Sequence, residues 1–343
     1  MFPQLLVAGI CLFSSESPSA LKYNQPVPGC DILAPASAGC NQTLAVVVPV
    51  LNAAMFWPAF NHGLQRQGLE PNQILVIDSS SIDGTQELAR RAGYRVISIT
   101  RSEFNHGGTR QAAVELLRPV DILVYLTQDA ILADHEAIVR LVRPFEDPLI
   151  GATFGRQLPR IGAGPLESHA RSFNYPAESQ VRTLAMRDTL GFKAIFCSNS
   201  FAAYRVSALS AVGGFPNNVI VSEETIVSAR LLLGGWKTAY VADAMVYHWH
   251  HYSYKEEFGR YFDIGVLHAR ESWLLDEFGK VDGEGMRFFF SQLTYLWPRH
   301  AHLIFDSLIR LFIKYAGYRT GRLESRISRS SAKRLSQQKQ YWW

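Results

Sequence analysis

Between residues 44 and 143 short apolar runs alternate with helix-forming segments, and this alternation restricts the possible folds more than any other feature of the chain. The first run, Leu44-Ala-Val-Val-Val-Pro-Val50, has no polar side chain to turn toward water. It suits a strand covered on both faces, as in a parallel sheet. Runs at 73–78, 94–99 and 121–127 predict three more strands, with helices over 52–66, 86–92, 108–117 and 135–143. The pattern predicts an α/β fold with a mainly parallel central sheet and crossover helices. Such sheets bind ligands beyond the carboxyl ends of their strands, where Asp78 and Asp129 fall.

Past Gly151 the alternation weakens. A strand is expected at 151–157, a loop and helix covering a cleft at 159–188, and a strand within 194–204. A helix over 223–233 stops at Gly234-Gly235, followed by a strand pair in 237–247 and helix over 257–277. After Pro298, the residues Ile304, Leu308, Leu311, Phe312 and Tyr315 recur at helical spacing. Residues 14–43 are rich in Ser, Pro, Asn and Gly and show no period. The expected organisation is an irregular extension (1–43), a catalytic domain (44–270, with halves 44–130 and 131–270), and C-terminal helices with a basic tail (271–343).

At 343 residues, 48% apolar and 19% charged, the chain has material for a well-filled core. The net charge of +4 is unevenly spread: residues 299–343 hold ten Lys/Arg against two acids, leaving the remainder at −4. A basic tail on an acidic body points to an anionic surface, and the acidic body argues against nucleic acid. No run of 18 apolar residues exists, so no spanning helix is expected. Residues 2–13 are apolar but short, with no Lys or Arg before them, and a cytoplasmic location is expected. Cys11, Cys30, Cys40 and Cys197 show no zinc or disulfide spacing.

Several residues have the chemistry for a site. Asp78 ends a strand, where a carboxylate either accepts hydrogen bonds from a base or ribose or caps the next turn; position leaves both open. In Phe104-Asn105-His106-Gly107-Gly108-Thr109-Arg110 the small residues allow close backbone approach, and Arg110 offers a planar fork for phosphate oxygens. Gln128-Asp129 follows an apolar strand; Mg²⁺ or Mn²⁺ takes oxygen ligands and keeps water and substrate phosphates, so one carboxylate suffices. Glu223-Glu224 opens a helix, either as acids favoured by the helix dipole or as a general base with its neighbour. His248, His250 and His251 cluster at a strand end, as metal or phosphate contacts or as structural residues.

Taken in order, these segments resemble the inverting family-2 glycosyltransferases of GT-A (Rossmann-like) fold. Within them the chain is similar to bacterial rhamnosyltransferases of O-antigen, capsule and cell-wall assembly. The resemblance runs from about residue 45 to 270. It rests on Pro49-x-x-Asn52, the turn from Asp78 to Thr85, Phe104 to Arg110, Thr127-Gln-Asp-Ala130 and Phe196-Cys-Ser-Asn-Ser200. Tyr204-Arg205, Gly213-Gly-Phe215, Glu223-Glu224, Tyr247 to Ser253 and Arg260-Tyr-Phe-Asp-Ile-Gly265 complete it. It implies that Pro49, Asn52, Asp78, His106, Gly107, Arg110, Gln128 and Asp129 bind a nucleotide-sugar donor, and that Asp129 and His248 hold Mg²⁺ or Mn²⁺. Glu224 is then the base, supported by Glu223. The implied reaction moves L-rhamnose from dTDP-β-L-rhamnose, with inversion, to a saccharide hydroxyl, the acceptor being polyprenyl-linked at the inner membrane face. A UDP-hexose donor, or a non-catalytic nucleotide-sugar-binding or membrane scaffold, are the alternatives. The chain departs from the family pattern at Ser79 and Ala130, where relatives carry second acids, and at Glu224, where Asp is usual.

Overall fold

The computed structural model describes residues 42–248, 252–279 and 282–342. The N-terminal extension to residue 41, with Cys11, Cys30 and Cys40, lies outside them, as do Trp249, His250, His251 and Trp343.

The first half runs β1 (Leu44–Val50), α1 (Trp57–Gln65), β2 (Ile74–Asp78), α2 (Thr85–Arg91), β3 (Arg95–Ser98), α3 (His106–Leu116), β4 (Ile122–Leu126), β5 (Ile131–Leu132) and α4 (Ala137–Val142). Then come β6 (Ile150–Leu158), α5 (Pro165–Asn174), β7 (Gln180–Arg182), α6 (Arg187–Leu190), β8 (Phe201–Arg205), α7 (Val206–Ala211), α8 (Glu223–Leu233) and β9 (Lys237–Tyr247). Five helices close the chain: α9 (Tyr254–Arg270), α10 (Trp273–Phe278), α11 (Asp282–Leu296), α12 (Ile304–Arg322) and α13 (Arg329–Leu335).

The strands form one sheet in the order β3-β2-β1-β4-β8-β6-β9-β5, with β7 also on β9. β3, β2, β1 and β4 are mutually parallel, as the alternation requires, and β8 enters antiparallel between β4 and β6. Successive β1 residues serve opposite faces: Val46, Val48 and Val50 join one apolar cluster, Ala45 and Val47 the other. That is why the run carries no polar position. The register Val50↔Asp78 brings the ends of β1 and β2 to one edge beside the end of β4.

Four expectations change, one being the helix over 257–277, which is two, Tyr254–Arg270 and Trp273–Phe278. The first helix begins at Trp57 rather than 52, because Asn52 is left-handed (φ 50°) and Ala53 accepts from the Phe56 and Trp57 amides in a tight turn. Pro58 fits the new start, since its ring is preset for a first helical turn. Residues 237–247 are one strand, not a pair; its pairing with β6 jumps from Gly155↔Val241 to Arg156↔Met245, and the bulge keeps it continuous. The helix at 108–117 starts earlier, at His106, capped by the Asn105 side chain accepting from the Gly108 amide.

A third cluster joins Ile226, Phe262, Val266, Leu274 and Phe278 to Ala332 and Trp342. The α9–α12 crossing is close because glycines face it: a Cβ at Gly321 would lie 2.0 Å from the Phe262 carbonyl oxygen, and one at Gly265 2.3 Å from that of Tyr318. Part of the basic tail is therefore folded down. Arg310 pairs with Glu257 and Asp306, Lys314 with Glu257, and Arg322 donates to the His268 carbonyl. Trp342 packs beside Phe262 in this core.

Candidate active site

Asp78 closes β2 fully buried, and its two oxygens differ. Oδ2 accepts from the Ser81 amide (2.9 Å) and Gln86 Nε2 (2.7 Å), while Oδ1 is buried with no hydrogen-bond partner among the described residues. A buried acceptor without a donor is costly, and a ligand N–H or O–H relieves it. The carboxylate thus caps its own turn and keeps an acceptor in reserve.

Its neighbours brace this edge. Asn52 Oδ1 accepts from the Ile82 amide and Gln128 brackets Leu51, accepting from its N–H at 2.7 Å and donating to its carbonyl at 3.0 Å. Pro49 sits in β1 opposite Ile77. Asn52 and Gln128 hold the end of β1 to the turn after β2 and to the end of β4.

One residue further, Asp129 Oδ2 stands 3.4 Å from His248 Nε2. The other imidazole nitrogen, Nδ1, faces Gln157 Oε1 at 2.8 Å. Gln157 Oε1 also accepts from Arg171, and its amide donates to Ser198 Oγ. The imidazole is thus held from both sides, by Gln157 at Nδ1 and by the Asp129 carboxylate at Nε2. A carboxylate and an imidazole this close offer two ligands, and a divalent cation there would fill its remaining positions with water and phosphate oxygens; no group of three or more such side chains lies among the described residues. Nothing in the sequence pattern singled out Gln157; only the β6–β9 pairing brings it under His248.

The stretch from Phe104 to Arg110 is not an open phosphate loop. Gly107 lies inside the first turn of α3, where a Cβ would fall 1.7 Å from the Pro216 carbonyl oxygen. The glycine is needed to seat α3 on the loop leading into α8. We expect Gly107→Ala to push that loop away, lowering turnover at least tenfold and stability by about 1–3 kcal/mol; kinetics and thermal unfolding check this, and wild-type values would overturn it. Arg110 is 5% exposed and its Nη1 meets Glu223 Oε1 at 2.7 Å and the His106 carbonyl at 2.9 Å. Its fork faces into the protein.

Glu223 and Glu224 open α8 with opposite environments. Glu223 is buried; burial works against its charge, but Arg110, His106 and the Asn199 amide (2.9 Å) outweigh that and hold its carboxyl below the usual range. Asn199 is itself set by Tyr204, whose hydroxyl donates to Asn199 Oδ1 at 2.7 Å. Burial, then the neighbouring Glu223 charge, pushes the Glu224 carboxyl up to about 8. Two adjacent carboxyls pushed apart in this way form a fixed anion and a proton acceptor tuned near neutrality. Burial also pushes His106 down. Arg260, an exposed guanidinium on α9, reaches the Tyr252 hydroxyl at 3.3 Å, and its charge acts on both Glu224 and Tyr252, the latter also in the field of Asp129. Asn199 and Arg260 stand within the family-like motifs, but spacing alone carries no signal of what they touch.

Comparison with known proteins bears on the family and the fold. Residues 45–213 match the model of glycosyl transferase family 2. The O-antigen chain rhamnosyltransferase RfbN of Salmonella typhimurium is 42% identical over 300 residues, covering 87% of this chain and 96% of its own. The O-antigen chain rhamnosyltransferase WbaN of Salmonella anatum is 40% identical over 301 residues, covering 88% and 96%. The mannosyltransferase PcManGT of Pyrobaculum calidifontis, solved with GDP-Man and Mn²⁺, superposes with TM-score 0.51 at 16% identity, covering 87% of this chain and 85% of that one, a likeness of fold. The fold is GT-A-like, and the chain belongs to glycosyl transferase family 2 as a glycosyltransferase.

Proposed function

We propose that this enzyme moves L-rhamnose from dTDP-β-L-rhamnose to a hydroxyl of a polyprenyl-linked saccharide, inverting the anomeric centre, at the cytoplasmic face of the membrane. The observation that carries the chemistry is the divided acidic pair: Glu223 fixed as an anion by Arg110, Glu224 raised beside it. Rhamnose follows from the two O-antigen rhamnosyltransferases that the chain matches along nearly their whole length.

Glu224 takes the proton of the acceptor hydroxyl as its oxygen attacks the anomeric carbon, and the bond from that carbon to the diphosphate oxygen breaks on the opposite face. Asp78 Oδ1 accepts a hydrogen bond from the base or ribose. Asp129 and His248 would hold Mg²⁺ or Mn²⁺, which screens the negative charge that grows on the departing diphosphate. Arg260 adds a guanidinium to the same task, the one sequence reading gave to Arg110.

Purified enzyme with Mg²⁺, a lipid-linked acceptor extract and dTDP-rhamnose, UDP-glucose, UDP-galactose or UDP-N-acetylglucosamine tests the reading through nucleoside diphosphate release. Release with dTDP-rhamnose alone, lost in Asp129→Ala and reduced at least tenfold in Arg260→Gln, is expected. Preferential release from a UDP-sugar replaces the donor. Binding without release from any donor points to the scaffold reading.

A further inference from the structure

Leu308, Phe312 and Tyr315 of the apolar spacing that predicted α12 face outward. Opposite the side that carries Gly317 and Gly321 onto α9, α12 presents Phe305, Leu308, Phe312 and Tyr315 to solvent, with Phe305 and Phe312 72% and 71% exposed. The preceding helix does the same with Phe290 and, just past its end, Trp297, 60% and 67% exposed. The two helices form a hairpin, held by Ser307 Oγ donating to Gln292 Oε1 in its buried seam. Large apolar side chains this exposed, grouped on one hairpin, mark a contact surface.

The charges around them say what covers them. Arg319 continues the α12 stripe one turn past Tyr315 and lies over that ring at 5.9 Å. Arg299, exposed, sits in the connection at the other end. The acids Glu284 and Asp306 are both engaged, by Lys193 and Arg287 and by Arg310. Aromatics between outward cations, with these acids neutralised, match the boundary of an anionic bilayer, where rings enter the acyl edge and long cations reach headgroups. A second copy of the chain would bring like charges together at both ends.

We propose that the α11–α12 hairpin, not the terminal basic segment, is the surface that docks the enzyme on anionic lipid. The inference rests on the membrane reading above and names the contact. It puts the lipid-facing side on α12, which packs against α9, and α11, which packs against α5.

The test is co-sedimentation of the full-length protein with vesicles of phosphatidylcholine alone or with phosphatidylglycerol. Wild type is expected to bind the anionic vesicles, with Phe305→Ser/Phe312→Ser lowering the partition coefficient at least tenfold and Arg299→Gln/Arg319→Gln at least threefold. A Lys333→Gln/Arg334→Gln/Lys339→Gln variant is expected to bind as wild type. Equal binding by the Phe variant, or loss confined to the 333–339 variant, overturns the proposal. So does a wild-type dimer in solution that the Phe variant dissociates, with no vesicle binding by either. Melting temperatures of these surface variants should match wild type. Donor hydrolysis in detergent, measured in parallel, separates failure of docking from failure of the catalytic reading.

Discussion

Glu224→Gln should cut rhamnosyl transfer by about a thousandfold and leave nucleotide binding intact, because a correctly placed base contributes roughly 10²–10⁴ in rate and Gln keeps the shape without the basicity. The sign of the pH profile follows from the raised carboxyl. The base works deprotonated, so kcat/KM should climb about tenfold per pH unit below about 8 and level off above it. Stability runs the other way. A folded-state pKa raised above the unfolded value favours the folded protein at low pH, and that contribution is lost as pH rises from the ordinary Glu range through about 8. The Gln variant, which cannot ionise beside Glu223, should therefore gain in melting temperature over wild type as pH rises across that window. A flat rate profile between pH 6 and 8, or a variant retaining a tenth of wild-type turnover, would falsify the assignment.

Arg110→Met should have the largest effect on stability. It leaves Glu223 buried with the Asn199 amide and no guanidinium, and breaking a buried pair from one side costs about 3–5 kcal/mol. A melting temperature lower by on the order of 10 °C is expected. Arg110→Met/Glu223→Leu, which removes both charges, should recover most of it, since paired replacement by apolar residues is often neutral. Both variants should lose turnover, as Glu223 no longer sets the Glu224 environment, yet bind dTDP within about threefold of wild type. A tenfold loss of dTDP affinity in Arg110→Met would instead return Arg110 to the diphosphate. Isothermal titration and thermal unfolding on the same preparations decide between the two.

What was readable without coordinates was local or periodic. An all-apolar run such as Leu44–Val50 admits few fates, and strand–helix alternation dictates a parallel arrangement because a crossover needs a covering helix. Asp78, Asp129 and the Glu pair stood out because they interrupt or follow such runs. The order of the motifs was enough to recognise the family.

Direction and pairing were not readable. Whether Arg110 points at a ligand or at Glu223 depends on how α3 meets α8, and Gly107 serves that contact rather than a phosphate. Gln157 and His248 are 91 residues apart and meet only through β6 and β9. Helical spacing marked the stripe from Ile304 to Tyr315 as amphipathic but not which side was buried; the glycines facing α9 decided that. Sequence sets propensity, period and the kinds of chemistry available, since these reside in neighbouring residues. Partners, ionisation states and exposed faces are set by contacts between segments far apart in the chain, and only the folded arrangement determines them.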